Sequence, residues 1–325
     1  MTYFLDKNTD PVVFGTLPID NPSVAILLCT YNGARFLGEQ LDSIEAQTHQ
    51  NWVVIGSDDG STDQTIEILL QYQAKWPSGK LTIRTGPQKG FCKNFQFLVS
   101  DDSISADFYA FCDQDDVWLP EKLAKALDAL KNISGKVPSV YGARTQSIDE
   151  HGAFLGLSPI FSLCPSFENA LVQSIAGGNT MVFCRAAKQA IQIDTKYDIV
   201  SHDWWTYLVV TAIGGQFIYD PIPTTYYRQH KANIIGSKKG FFEKFARLRS
   251  LLSGKLQHWI ESRNDALESI VQNLTEKNQQ TFRQFCHYRR APLFSRVLGI
   301  KRLGIHRQHI SENIGFYIAV LLKKI

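Results

Sequence analysis

Three carboxylates stand within four residues at Asp113-Gln114-Asp115-Asp116, directly after the apolar run Phe108 to Cys112. Like charges this close repel one another unless a cation holds them. A hard divalent ion such as Mg²⁺ or Mn²⁺ suits the task, because it accepts one or two carboxylates together with phosphate oxygens and water. The plain alternative is an acidic turn capping a helix that opens near Leu119-Pro120-Glu121, for which one Asp suffices. A second acidic pair, Asp58-Asp59-Gly60-Ser61, and the cluster Thr30-Tyr31-Asn32-Gly33 invite the same weighing. Tyr31 can stack on a base and an Asp here can accept a hydrogen bond from a pyrimidine imide, yet either cluster alone could be a simple turn. Asp203, in Ser201-His202-Asp203-Trp204-Trp205, stands where a helix begins, as a cap, a general base or both. Gly177-Gly178-Asn179 permits close backbone approach to a ligand, or only a turn before a strand.

The elements around these residues place them together. Ser23 to Cys29 is a continuous apolar run with β-branched members, read as a buried parallel strand that ends in a polar loop. Phe36 to Gln47 carries Leu37, Leu41 and Ile44 on one helical face; Asn51 to Gly56 is a second strand, and Gln64 to Gln73 a second helix. Leu81 to Arg84, a helix from Phe91 and a strand Asp107 to Cys112 continue the alternation. Such a pattern predicts an α/β fold with a mostly parallel sheet covered on both faces, whose ligands bind beyond the carboxyl ends of the strands. The three polar loops all fall at those ends. The second half reads as a strand (Tyr141 to Arg144), a helix (Ser166 to Gln173), a glycine-led strand (Gly177 to Arg185), a helix (His202 to Ala212) and a strand (Gln216 to Asp220).

Charge divides the chain more sharply than its net +3 suggests. From Gly236 to Ile325 there are 17 Lys+Arg against 6 Asp+Glu, hence +11, which leaves −8 for the remainder. A basic appendage on an acidic body predicts an anionic surface as partner, phospholipid or nucleic acid, or else a solvated helical face. Phe241, Phe242, Phe245, Leu248, Leu251 and Leu252 recur there at helical spacing beside Lys244, Arg247 and Arg249. The same features suit a helical subdomain packed on the body or on a second subunit. Ile314 to Leu322 is too short to span a bilayer but long enough to lie in an interface. The expected organisation is an N-terminal extension (1–22), a catalytic domain (23–235, with halves 23–130 and 131–235) and a helical basic region (236–325). No apolar signal segment opens the chain and six dispersed cysteines read as reduced core thiols, so a cytoplasmic location is expected, with the tail able to reach the inner face of a membrane.

Cys-Thr-Tyr-Asn-Gly at the first strand end, Asp-Asp-Gly-Ser-Thr-Asp at the second and Asp-Gln-Asp-Asp-Val-Trp at the fourth resemble the signature of family 2 glycosyltransferases with the GT-A fold. The resemblance runs from about Ser23 to His230. Gly177 to Met181, Ser201 to Trp205 and Tyr226-Tyr227-Arg228-Gln229-His230 are similar to bacterial rhamnosyltransferase-like members that build surface polysaccharide. It implies an inverting, metal-dependent transfer from a nucleoside-diphosphate sugar, pyrimidine base favoured, to a glycan or lipid-linked glycan, with no nucleic acid partner. By the resemblance Thr30, Tyr31, Asn32, Asp58 and Asp59 surround the nucleotide, and Asp115 lies near the ribose and the metal. Asp116 and His230 would join Asp115 on Mg²⁺ or Mn²⁺. Gly178, Asn179 and Trp204 would meet donor sugar or acceptor, and Asp203 would be the catalytic base. Cys29 departs from the Pro or Thr of many members. The Gln-x-x-Arg-Trp motif of processive synthases is absent, which implies addition of one or a few sugars. Two other readings remain: a catalytically silent scaffold that binds nucleotide or glycan, and a haloacid-dehalogenase-like phosphatase, whose Asp-x-Asp motif normally follows the first strand. No G-x-G-x-x-G follows the first strand here, which argues against a dinucleotide oxidoreductase.

Overall fold

The computed structural model describes residues 20–133, 135–230 and 255–325. The tail residues from Phe241 to Leu252 and the first nineteen residues lie outside that range.

The first half alternates as expected: β1 (Val24–Thr30), α1 (Ala34–Glu45), β2 (Trp52–Asp58), α2 (Thr65–Lys75), β3 (Leu81–Thr85), α3 (Phe91–Val99) and β4 (Phe108–Asp113). All seven residues of β1 are buried, because it lies between β2 and β4 with helices over both faces. A two-residue strand β5 (Val117–Trp118) and α4 (Lys122–Leu130) follow the acidic loop. Beyond them run β6 (Ser139–Ala143), β7 (Gln146–Ile148), β8 (Phe154–Leu157), α5 (Phe167–Ala170), β9 (Val182–Cys184) and α6 (Arg185–Ile191). Then come α7 (His202–Ala212), β10 (Gln216–Asp220), β11 (Thr225–Arg228), α8 (Lys255–Glu268), α9 (Glu276–Arg290), α10 (Leu293–Arg302) and α11 (Ile310–Leu321).

The large sheet has the order β10-β6-β9-β4-β1-β2-β3, parallel except for β9, which runs antiparallel to β4 and β6. A small sheet, β5-β11-β7-β8, stands beside it. Sequence periodicity did not reveal this second sheet, because its strands have two to four residues, too few to display alternation. Two expectations are corrected. Gly177 to Arg185 is not one strand: Gly178–Thr180 forms a 3-10 turn before β9. The helix expected over Ser166 to Gln173 has one regular turn, with Ser166 capping it by accepting from the Asn169 N–H.

One apolar cluster joins the α3 and α7 face of the large sheet to the C-terminal helices through Ile260, Leu267, Phe282, Phe285, Ile300 and Phe316. Residues 255–325 therefore bury their inner faces in the same core as the sheet. Cys29, Cys112 and Cys184 are core thiols, Cys92 and Cys286 are half-buried, and Cys164 is exposed, contrary to the expectation for all six. No helix among the described residues is long and apolar enough to cross a membrane.

Candidate active site

A cleft of about 1510 Å³ opens at the carboxyl ends of β1, β2 and β4. Its wall includes Thr30, Tyr31, Asn32, Asp59, Asp113, Gln114, Asp115, Gly178, Asn179, Asp203 and His230. Three expected contact residues, Asp58, Asp116 and Trp204, do not line it.

The loop after β1 is laced to its neighbours by backbone N–H groups. Tyr31 N–H donates to Gln114 Oε1 at 2.8 Å, and Gln114 Nε2 donates back to the Tyr31 carbonyl at 2.9 Å. Asn32 N–H donates to Ser61 Oγ and Gly33 N–H to Thr65 Oγ1, both at 2.8 Å, and Ala34 N–H to Asp63 Oδ2 at 3.1 Å. The N–H of Ala34, the first of α1, and those of the two residues before it are thus met by the second loop and the start of α2. A Cβ on Gly33 would come within 2.1 Å of Gln114 Oε1, so a side chain there would push the Gln114 amide off Tyr31. Tyr31 remains 57% exposed, so its ring is available to a flat ligand.

Asp58 is buried beneath this loop. It accepts from Thr30 Oγ1 at 2.8 Å, from the Gly60 N–H at 3.1 Å and from the Ser61 N–H at 2.8 Å. Its carboxylate builds the turn rather than the wall. Asp59 does reach the cleft, and its two oxygens accept from the Gln88 N–H at 2.6 Å and the Gly90 N–H at 2.7 Å. Gln88 and Gly90 went unmarked in sequence because the loop after β3 has no charged cluster, although Gly90 and the left-handed Gln88 (φ 57°) bring its backbone to the wall.

The acidic loop divides likewise. Asp113 and Asp115 face the cleft, and burial together with the charges of Asp115 and Asp203 pushes the Asp113 carboxyl up to about 7. Asp116 is fully buried, accepting from Asn179 Nδ2 and, at 3.2 Å, from the Arg228 N–H. Burial, then the charges of Asp115 and Asp113, hold it well above the ordinary carboxylate range. Lys122 lies beneath, its Nζ donating to the Asn179 carbonyl and to Thr225 Oγ1, and burial lowers it to about 7.

His230 arrives from far along the chain. β11 pairs antiparallel with β5 immediately after the acidic loop, so the residues beyond β11 return to that loop. His230 Nε2 lies 2.7 Å from Asp115 Oδ2, and its ring stands 5.0 Å from that of Phe36. Arg228 fixes the approach. Its Nε donates to the Asp115 carbonyl at 3.0 Å, its Nη1 to the Glu150 carbonyl at 3.3 Å, and its Nη2 pairs with Glu39 Oε2 at 2.5 Å. Sequence reading gave Arg228 and Glu39 no role; the available signal was one cation in a tyrosine-rich run, two residues before a candidate ligand.

Asp203 occupies the first turn of α7, and its Oδ1 accepts from the Trp204 N–H at 2.7 Å. Trp204 turns away from the cleft: its Nε1 donates to the Ala170 carbonyl at 2.8 Å and Arg263 covers its ring at 4.9 Å. Those contacts anchor α7 away from the cleft wall. His202 stacks on Phe95 at 3.9 Å and burial pulls its pKa to about 4, so the ring is neutral. Its Nε2 would lie 2.1 Å from a Cβ on Gly178, which explains the glycine at that position.

A mixed α/β sheet with acidic loops at its carboxyl edge is common to many folds, and the chain's own relatives decide among them. The model of glycosyl transferase family 2 matches residues 25–190. The chain belongs to that family. This glycosyltransferase is 30% identical over 233 residues to the dTDP-rhamnosyl transferase RfbG of Shigella flexneri, a match covering 68% of this chain and 78% of that protein. It is 32% identical over 110 residues to the putative glycosyltransferase EpsE of Bacillus subtilis, spanning 34% of this chain and 39% of that one. The crystal structure of S. aureus TarS 1–349 in complex with UDP-GlcNAc superposes with a TM-score of 0.53 at 15% identity, covering 86% of this chain and 90% of that one. The mannosyltransferase PcManGT from Pyrobaculum calidifontis, in complex with GDP-Man and Mn²⁺, gives 0.51 at 16% identity, with 95% and 88% covered. The glycosyltransferase thus has the GT-A fold, and the phosphatase reading falls with the family assignment.

Proposed function

We propose that this glycosyltransferase moves a sugar, with inversion, from a pyrimidine nucleoside-diphosphate donor of the rhamnosyl type to a hydroxyl of a glycan or lipid-linked glycan. The setting would be bacterial surface-polysaccharide synthesis on the cytoplasmic side of the membrane. The observation that carries the reading is the sharing of one cleft by the Asp115–His230 pair, the exposed Tyr31 and Asp203. The dTDP-rhamnosyl transferase relative supports the choice of donor.

Tyr31 would stack on the base, with Asp59 and the backbone of the Gln88 loop at its edge. Asp115 and His230 would hold Mg²⁺ or Mn²⁺. Two protein donors would leave coordination sites for diphosphate and water, as these ions prefer. When bound, the cation would offset charge growing on the departing diphosphate. Asp116 would support the loop from beneath. Asp203 would take the acceptor proton as the acceptor oxygen bonds to the anomeric carbon and the diphosphate leaves with the electron pair of the broken C–O bond. One displacement from the opposite face inverts the configuration.

Nucleoside-diphosphate release across a donor panel, with and without chelator, is the test. Turnover of thymidine or uridine diphosphate sugars, abolished by chelator and restored by Mn²⁺ or Mg²⁺, is expected. Exclusive use of purine donors would remove the base assignment, and full activity in excess chelator would remove the metal.

A further inference from the structure

We propose that a continuous apolar belt beside the cleft seats the molecule on an anionic phospholipid surface. From Ala153 to Phe167 the chain carries no charged residue. Phe154 is 63% exposed, Leu157 44%, Ile160 49% and Leu163 47%. Phe154 and Leu157 stand on β8, the edge of the small sheet, where an uncovered apolar strand invites aggregation. From the same segment Ser158 and Phe161 line the cleft together with Thr145 and Ile175.

The belt continues onto α11. Gln308 accepts from the Leu163 N–H at 2.9 Å and donates to its carbonyl at 3.0 Å, while the Phe161 and His309 rings stand 5.6 Å apart. Ile310 follows immediately, 82% exposed, and Ile314 (60%), Ile318 (39%) and Leu321 (49%) extend it along one stripe. The opposite stripe of α11, with Phe316, Ala319 and Val320, is already in the core. A helix that buries one face in a water-soluble body normally turns polar residues outward; this one is apolar on both. An apolar sheet edge continued by an apolar outer helix face marks an interaction surface.

Charge selects the partner. Residues 290–325 contain seven Lys+Arg and one Glu, including the exposed Lys301, Arg302 and Lys323. Arg296 is buried and Arg307 pairs with Glu312, yet an aliphatic stripe on a segment this basic suits the headgroup boundary of an anionic bilayer, whereas a second copy would bring the same cations against themselves. The purpose of the contact rests on the lipid-linked acceptor reading: an acceptor held at the surface would meet the cleft at Phe161.

Co-sedimentation with vesicles of phosphatidylglycerol and phosphatidylcholine, against phosphatidylcholine alone, tests this at low and high salt. The variants are Ile310→Ser with Ile314→Ser, Leu157→Ser, and Leu70→Ser on α2, half-exposed at the other end of the sheet. Circular dichroism and donor binding report retained fold. Binding to anionic vesicles is expected, weakened about tenfold or more by the double substitution and unchanged by Leu70→Ser. No binding to either vesicle, or equal binding by the double variant, overturns the belt. A solution dimer that the double variant turns into monomer would do so too, by making a second copy the occupant. Donor turnover with a soluble acceptor is scored separately: vesicle failure with turnover intact sinks the belt alone, and the converse sinks the transfer reading alone.

Discussion

The two rims of the cleft are built on opposite plans. On the rim formed by the loops after β1, β2 and β3, backbone N–H groups of residues 31–34 each find a partner, and Asp58 and Asp59 accept five or more bonds between them. Six of those bonds join residues 28 to 32 apart, one strand–helix unit, so neighbouring units lock each other. The other rim combines residues from 143 to 230, and its central imidazole, His202, has no hydrogen-bond partner at either nitrogen among the described residues. Preorganisation on the first rim suits recognition of a constant ligand part such as a nucleotide. The second rim depends instead on contacts between distant segments, with Asn179 donating to Asp116 and His230 meeting Asp115.

The largest test of that contrast is Asp203→Asn. It removes the proposed base with little change of size, and turnover should fall about 10² to 10⁴-fold while donor affinity measured by calorimetry stays put. Near-normal turnover would assign the proton to another group and cancel the catalytic role of the second rim.

Arg228→Met should come next. Arg228 touches no expected ligand, yet it holds the Asp115 carbonyl, Glu39 and the strand that delivers His230. Loss of a group that orients a metal ligand typically weakens metal binding about 10 to 100-fold. Mn²⁺ binding followed by electron paramagnetic resonance in the presence of nucleoside diphosphate measures the shift; unchanged binding would mean that His230 is positioned by β11 pairing alone.

The smallest effect is expected for Tyr31→Ala. Base stacking on an aromatic ring contributes about 1 to 3 kcal/mol, so donor affinity should drop roughly tenfold or more with turnover at saturation unchanged. If turnover fell instead, the first rim would act on chemistry as well as on binding.

How much was legible in sequence follows the same division. β1, β2, β3, β4, α7 and β10 were readable because continuous apolar runs and helical spacing are local signals, and the carboxyl-edge rule placed three polar loops together from strand order alone. Asp58 and Asp59 are adjacent, chemically identical and both suited to a base, yet one supports the turn and the other reaches the wall. The same holds for Asp116 beside Asp115. Neighbouring residues at a strand end differ in direction by the local backbone path, which no residue type encodes. Trp204 turned outward for the same reason, one position past Asp203 on a helix.

The alternating α/β body, the acidic strand ends, the carboxylate at the start of α7 and the basic C-terminal charge can all be read from residue order. Those depend on composition and period within a dozen residues. Which carboxylates face the cleft, the meeting of His230 with Asp115 across 115 positions and the clamp of Arg228 on that loop come from the folded chain. That contact is made by a two-residue strand pairing with one more than a hundred residues later, and such a pairing becomes favourable only once the large sheet has brought both ends together.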